Sequence, residues 1–147
     1  MTGNELEEMK TFTEELPQAR ALGLKVESVA PGVAVLSMPY SEELVGDPET
    51  GVIHGGAVST LMDTCSGGAV ISHPDMTEAV TATLDLRIDY MRPAAPGKRI
   101  FARAECYHVT RTVAFVRAQA WTEGDEDRPV AAATGAFTAV GRKGGAQ

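Results

Sequence analysis

A chain of 147 residues, 44% of them apolar, is long enough for one domain with a buried core, and it has no apolar run long enough to span a bilayer. Its net charge of −7 disfavours nucleic acid and anionic membrane surfaces as partners. Two cysteines without metal-ligand spacing, and an acidic N-terminus (Glu5, Glu7, Glu8) without an apolar signal core, point to a reduced, cytoplasmic setting and to no metal site.

Residues 4–16 read as a short acidic helix with Pro17 near its end, within an N-terminal helical segment of about 20 residues. Phe12 and Leu16, at i and i+4, are expected to dock it on the body. Alternation from Leu24 to about Val29, a turn at Ala30-Pro31-Gly32 and a return from Val33 to Met38 predict a hairpin. Tyr40 to Ile53, with Gly46-Asp47-Pro48 and Gly51, reads as a loop long enough to cover a substrate. A long helix from about Gly55 to Ser72 follows, broken by His73-Pro74-Asp75. From Ala79 to Arg92, Ala82, Leu84, Leu86, Ile88 and Tyr90 alternate with polar residues, which predicts a strand buried on one face. Pro93 to Gly97 is a turn. Arg99 to Val109 and Thr112 to Trp121 predict a hairpin around Thr110-Arg111, Glu123 to Arg128 an acidic turn, and Pro129 to Val140 a last strand before a frayed tail, Gly141 to Gln147. The sum is a single α+β domain, residues 1–147: one long helix inside a bent antiparallel sheet of five or six strands. Such a sheet keeps an open edge, which pairing across a dimer would close.

The long helix carries the chemistry. On a helical wheel Ala57, Val58, Leu61, Met62, Cys65, Gly68 and Ala69 share one arc, and Asp63 falls opposite with Gly56, Ser59, Gly67 and Val70. A helix with so few charges is expected to be covered on most sides. A lone carboxylate there has either a structural partner or a chemical task, so Asp63 is a candidate base or nucleophile. Cys65, on the apolar arc, is read as a core residue. At the helix start the leading N–H groups lack internal partners, and Gly55 and Gly56 leave that backbone open to a ligand oxygen. The arrangement suits an oxyanion hole, with His54 hydrogen-bonded in the turn or touching substrate. Gly55 and Asp63 stand about 12 Å apart along a helix, too far to act on one carbonyl. Two antiparallel copies, one per subunit, would bring Gly55 of one against Asp63 of the other, which predicts a site at a two-fold dimer interface.

Charge is unevenly spread. From Arg87 to Arg117 there are seven basic residues (Arg87, Arg92, Lys98, Arg99, Arg103, Arg111 and Arg117) against Asp89 and Glu105, while the remainder carries six basic against 18 acidic. A basic region on an acidic protein suits a small polyanion such as the phosphates of coenzyme A.

The pattern Gly51-x-x-His54-Gly55-Gly56-x-x-x-x-Leu61-x-Asp63-x-x-x-Gly67, with Leu84 to Arg92, Pro93-Ala94 and Gly97 after it, resembles the hotdog-fold acyl-CoA thioesterases of the phenylacetic-acid-degradation (PaaI-like) type. The resemblance covers residues 20–140 or so. It implies a hotdog fold, hydrolysis of an acyl-CoA to free acid and CoA, and a homodimer or dimer of dimers. CoA belongs to the substrate, and no separate cofactor is implied. By this resemblance Asp63 is the catalytic carboxylate, activating water or attacking to form a mixed anhydride. The Gly55 N–H polarises the thioester carbonyl, and Thr83 supplies a hydroxyl that orients the attacking water. Some members carry an Asn six residues before the motif histidine. Here that position is Pro48, and Asp47 beside it is the candidate replacement in substrate binding, with Gly56 and the basic residues Arg92, Lys98, Arg99 and Arg111. The acyl pocket is expected to draw on residues 40–53, Met62, Met76 and Tyr90 or Phe115. The alternatives are a non-catalytic acyl-CoA-binding hotdog protein and a hotdog hydratase or dehydratase.

Overall fold

The computed structural model describes residues 2–76 and 80–140; the expected strand start at Ala79 and the tail from Gly141 lie outside them. Helix α1 (Gly3–Glu15) opens on a capping box, in which the Thr2 hydroxyl accepts from the Glu5 N–H (3.2 Å) and the Glu5 carboxylate from the Thr2 N–H (2.6 Å). Pro17, expected near the end of the helical segment, instead starts a second helix, α2 (Pro17–Leu22), where a missing N–H costs no hydrogen bond. Phe12 and Leu16 do not dock. They stay 60% and 38% exposed, because α1 turns Thr13 inward and Glu14 onto the sheet, where its carboxylate accepts from the Val26 N–H (3.1 Å).

The strands are β1 (Lys25–Ala30), β2 (Val33–Met38), the short pair β3 (Val45–Asp47) and β4 (Val52–Ile53), then β5 (Thr83–Tyr90), β6 (Ile100–Val109), β7 (Val113–Thr122) and β8 (Ala131–Thr138). Six of them form one antiparallel sheet in the order β1-β2-β6-β7-β8-β5, and both predicted hairpins are present. Residues 40–53 are not an open loop. They hold a single 3-10 turn and the β3/β4 hairpin, tied down by the Tyr40 hydroxyl on the Gly51 carbonyl and the His54 N–H on the Leu44 carbonyl, both 2.8 Å.

Helix α3 (Gly55–Ser72) lies in the hollow of the sheet. The inward positions of the strands are largely alanine (Ala34, Ala102, Ala104, Ala114, Ala118, Ala120, Ala131, Ala133), all buried. Methyl-sized side chains let helix and sheet approach closely. Cys65 Sγ reaches the Ala34 and Ala102 carbonyls at 3.3 and 3.4 Å, and a Cβ on Gly68 would meet the Ala34 methyl at 3.4 Å. Ser66 and Val70 are buried as well, so the covered face is wider than the apolar arc of the wheel.

The strand after the helix departs from expectation. β5 ends the sheet and pairs only with β8; Leu84 and Tyr90 are 57% and 51% exposed, and Leu86 and Ile88 only half-buried. The alternation is there, but among the described residues the core covers only its middle, Leu86 and Ile88, and only in part. The opposite edge, β1, is blocked by α1 through Glu14.

Gly135 fixes the place of β5. A Cβ there would collide with the Asp85 carbonyl oxygen and come within 2.8 Å of Leu86 Cδ1, beside the bulge between Thr83 and Asp85. Gly135→Ala therefore pushes β5 off β8. We expect a loss of about 3 kcal/mol, at the upper end of overpacking costs, and a fall of about 6–12 °C in thermal midpoint. A calorimetric melt checks this.

Candidate active site

The first turn of α3 is held from three sides. His54 is its N-cap, and its Nδ1 accepts from the Gly56 N–H at 2.7 Å, so that ring nitrogen is unprotonated. The ring folds so closely that a Cβ on Gly56 would lie 2.8 Å from Nδ1. Gly46 of β3 passes behind, where a Cβ would sit 2.8 Å from His54 Cα. The Tyr90 hydroxyl donates to the Gly55 carbonyl at 2.7 Å, so the end of β5 anchors the helix start. The Ala57 and Val58 N–H groups go to the His54 carbonyl. Among the described residues nothing accepts from the Gly55 N–H. Gly55 lines a cleft of about 370 Å³ together with Val52, Val58, Tyr90, Met91 and Pro93.

Two turns on, Asp63 is half-buried and accepts the Thr83 hydroxyl on Oδ1 at 2.7 Å. The chain thus brings Asp63 together with Thr83, and Gly55 with His54 and Gly56, at two separate points along α3. β5 touches both: its first residue meets Asp63 and its last meets Gly55. Asp47 stands apart, its oxygens engaged in its own turn by the Glu49 N–H (3.1 Å) and the Thr50 hydroxyl (2.8 Å).

The basic residues separate into groups. Arg92 and Lys98 line a cleft of about 480 Å³ together with Arg128, the last residue of the acidic turn from Glu123. This cleft adjoins the one at Gly55 through Arg92, Pro93 and Val130. Arg99 instead donates to Ser37 (2.9 Å), whose hydroxyl donates to Glu27 (2.7 Å). Arg111 lies in the β6–β7 turn, at the far end of the sheet from Lys98. Met62 is wholly buried in the core, and Phe115 stacks on His108. Burial pushes the Cys65 thiol up to about 12 and the Cys106 thiol up to about 11, so neither is a nucleophile at neutral pH. Among the described residues no cluster of side chains could hold a metal ion, and no helix is long and apolar enough to cross a membrane.

The family model of the thioesterase superfamily matches residues 50–128, the stretch that runs from the β3/β4 hairpin through α3 and β5 to β7. The chain belongs to that superfamily. It is 28% identical over 138 residues to the medium/long-chain acyl-CoA thioesterase YigI of Escherichia coli, covering 86% of this chain and 87% of that one. A solved Pseudomonas aeruginosa structure is 44% identical with a TM-score of 0.78, over 90% of this chain and 97% of that chain. The phenylacetic acid degradation protein PaaI of Thermus thermophilus is 32% identical with a TM-score of 0.72, over 84% and 98%. The fold is the hotdog fold, the PaaI-like resemblance holds, and the protein is a thioester hydrolase.

Proposed function

We propose that this thioesterase hydrolyses acyl-CoA at a site shared between two subunits, with Asp63 of one and the Gly55 N–H of the other acting on the same thioester. The observation that carries the reading is the position of β5. It is an open edge strand whose two ends touch Asp63 and Gly55 of its own helix. Antiparallel pairing of two such strands about a two-fold axis lays the Thr83 end of one on the Tyr90 end of the other. That brings the partner's helix start towards Asp63, covers Leu84 and Tyr90, and removes the open edge.

In this site the thioester oxygen accepts from the Gly55 N–H, reinforced by the helix dipole. Gly56 is not a second donor, since its N–H is held by His54. Asp63 attacks the carbonyl carbon, the C–S bond breaks to expel CoA as its thiolate, and water then cleaves the mixed anhydride; or Asp63 takes a proton from water that attacks the carbonyl as the same C–S bond breaks. In either route the Thr83 hydroxyl holds the carboxylate in one rotamer. His54 serves as the cap that shapes the turn. The pantetheine arm follows the apolar cleft past Tyr90 and Met91, and the phosphates lie by Arg92, Lys98 and Arg128.

Mixing two inactive variants tests the shared site. Asp63→Asn and Gly55→Pro chains, unfolded and refolded together, form mixed dimers in which one of two sites is intact. Release of CoA from butyryl-CoA then returns to about a quarter of the wild-type rate at equal mixing. A site contained in one protomer gives no recovery, and a monomeric sedimentation coefficient likewise ends the proposal.

A further inference from the structure

Resting on the acyl-CoA thioesterase reading, we propose that the groove between α1 and the C-terminal half of α3 holds the acyl chain, and that it selects unbranched aliphatic acyl groups of about eight to ten carbons over acyl groups ending in a carboxylate. A cleft of about 220 Å³ begins at Asp63 and Thr83 and passes over Gly67 and Gly68, walled by Phe12 and Phe137. It shares Phe12, Ile71 and Thr81 with a cavity of about 700 Å³ that continues past Met9 and Met76 to Glu5 and Glu8. From Asp63 to Ser72 the helix advances about 13 Å, the span of an extended chain of that length.

The lining is chemically narrow. The Ser72 hydroxyl donates to the Ala69 carbonyl (2.9 Å) and accepts from the Gly32 N–H (3.1 Å), and the Thr81 hydroxyl donates to the Thr138 carbonyl (2.8 Å). These two hydroxyls are engaged within the fold, so the stretch past Ile71, Met9 and Met76 offers an acyl chain mainly apolar contact. Phe12 is left 60% exposed beside the mouth of this groove, which suits a ring awaiting an apolar ligand. Glu5 and Glu8 at the far end oppose a terminal carboxylate.

The full-length chain is assayed on butyryl-, hexanoyl-, octanoyl-, decanoyl- and decanedioyl-CoA, with binding of the same thioesters measured calorimetrically on Asp63→Asn. We expect kcat/KM and affinity to rise about threefold per added methylene up to decanoyl, and decanedioyl-CoA to fall at least tenfold below decanoyl-CoA. Ile71→Trp, which fills the groove, stops the rise at hexanoyl. Phe12→Ala, at an exposed position that folding tolerates, flattens it. A slope unchanged in both variants, or a flat profile in the wild type, overturns the groove while leaving hydrolysis intact. Chain-length-dependent binding that responds to these variants without any CoA release supports the groove and overturns the hydrolytic reading instead.

Discussion

Asp63→Asn lowers kcat for acyl-CoA hydrolysis about 10²- to 10⁴-fold and leaves the thermal midpoint nearly unchanged. Asn has the shape of Asp and keeps a carbonyl oxygen for the Thr83 hydroxyl, which donates to Asp63 Oδ1 at 2.7 Å. The local hydrogen bond survives, so the loss reports the missing negative charge and not a disturbed helix. KM changes little, because the carboxylate is needed for the bond-making step and contributes little to holding the thioester. Steady-state CoA release on butyryl-CoA, with melts of both proteins, decides it. A fall of less than tenfold would move the chemistry away from Asp63.

Gly55→Pro removes the proposed oxyanion donor with little disturbance elsewhere, and kcat falls about 10²- to 10³-fold. Gly55 is the first residue of α3, where proline is favoured, and His54 before it has φ −58° and ψ 134°, the conformation a residue preceding proline adopts. A Cβ at Gly55 meets the Tyr90 ring at 3.5 Å, an ordinary contact. The Ala57 and Val58 bonds to the His54 carbonyl do not involve the deleted N–H. What is lost is one hydrogen bond to the charge that develops on the thioester oxygen. Gly55→Ala, which keeps the N–H, is the control. Equal loss in Ala and Pro variants would assign the effect to packing against Tyr90.

Much of this arrangement is legible in the sequence because it follows from local chemistry. The break at His73-Pro74 bounds α3, and alternation locates β6, β7 and β8 within one or two residues, while β5 begins only at Thr83, four residues past the expected start. Asp63 stands out as a charge on a helix otherwise nearly free of them. Thr83 entered through family resemblance, and the fold sets it against Asp63 across 20 residues of chain. The failures are of a different kind. Periodicity on β5 marks an apolar face without saying what covers it, and within the described residues the core covers Leu86 and Ile88 in part while Leu84 and Tyr90 stay exposed. The i, i+4 spacing of Phe12 and Leu16 predicts a docking face for α1, yet the face that meets the sheet carries Thr13 and Glu14, with Glu14 on the Val26 N–H. Tyr90 as the anchor of Gly55, and Arg128 beside Arg92 and Lys98, depend on contacts between distant segments. Alternate alanines in β6, β7 and β8 foretell how deeply a helix can sink between them.

The burial of Cys65 and Cys106 bears on the product as well as on the core. Every turnover of a CoA thioester liberates a thiol beside the protein. The enzyme's own two sulfurs are sealed in the core and held in the protonated state, one up to about 12 and the other up to about 11. Exchange with a disulfide needs an accessible thiolate. Oxidised CoA accumulating around the folded enzyme therefore finds nothing to couple to, and a thiol-specific dye counts released product alone, without a background from the catalyst.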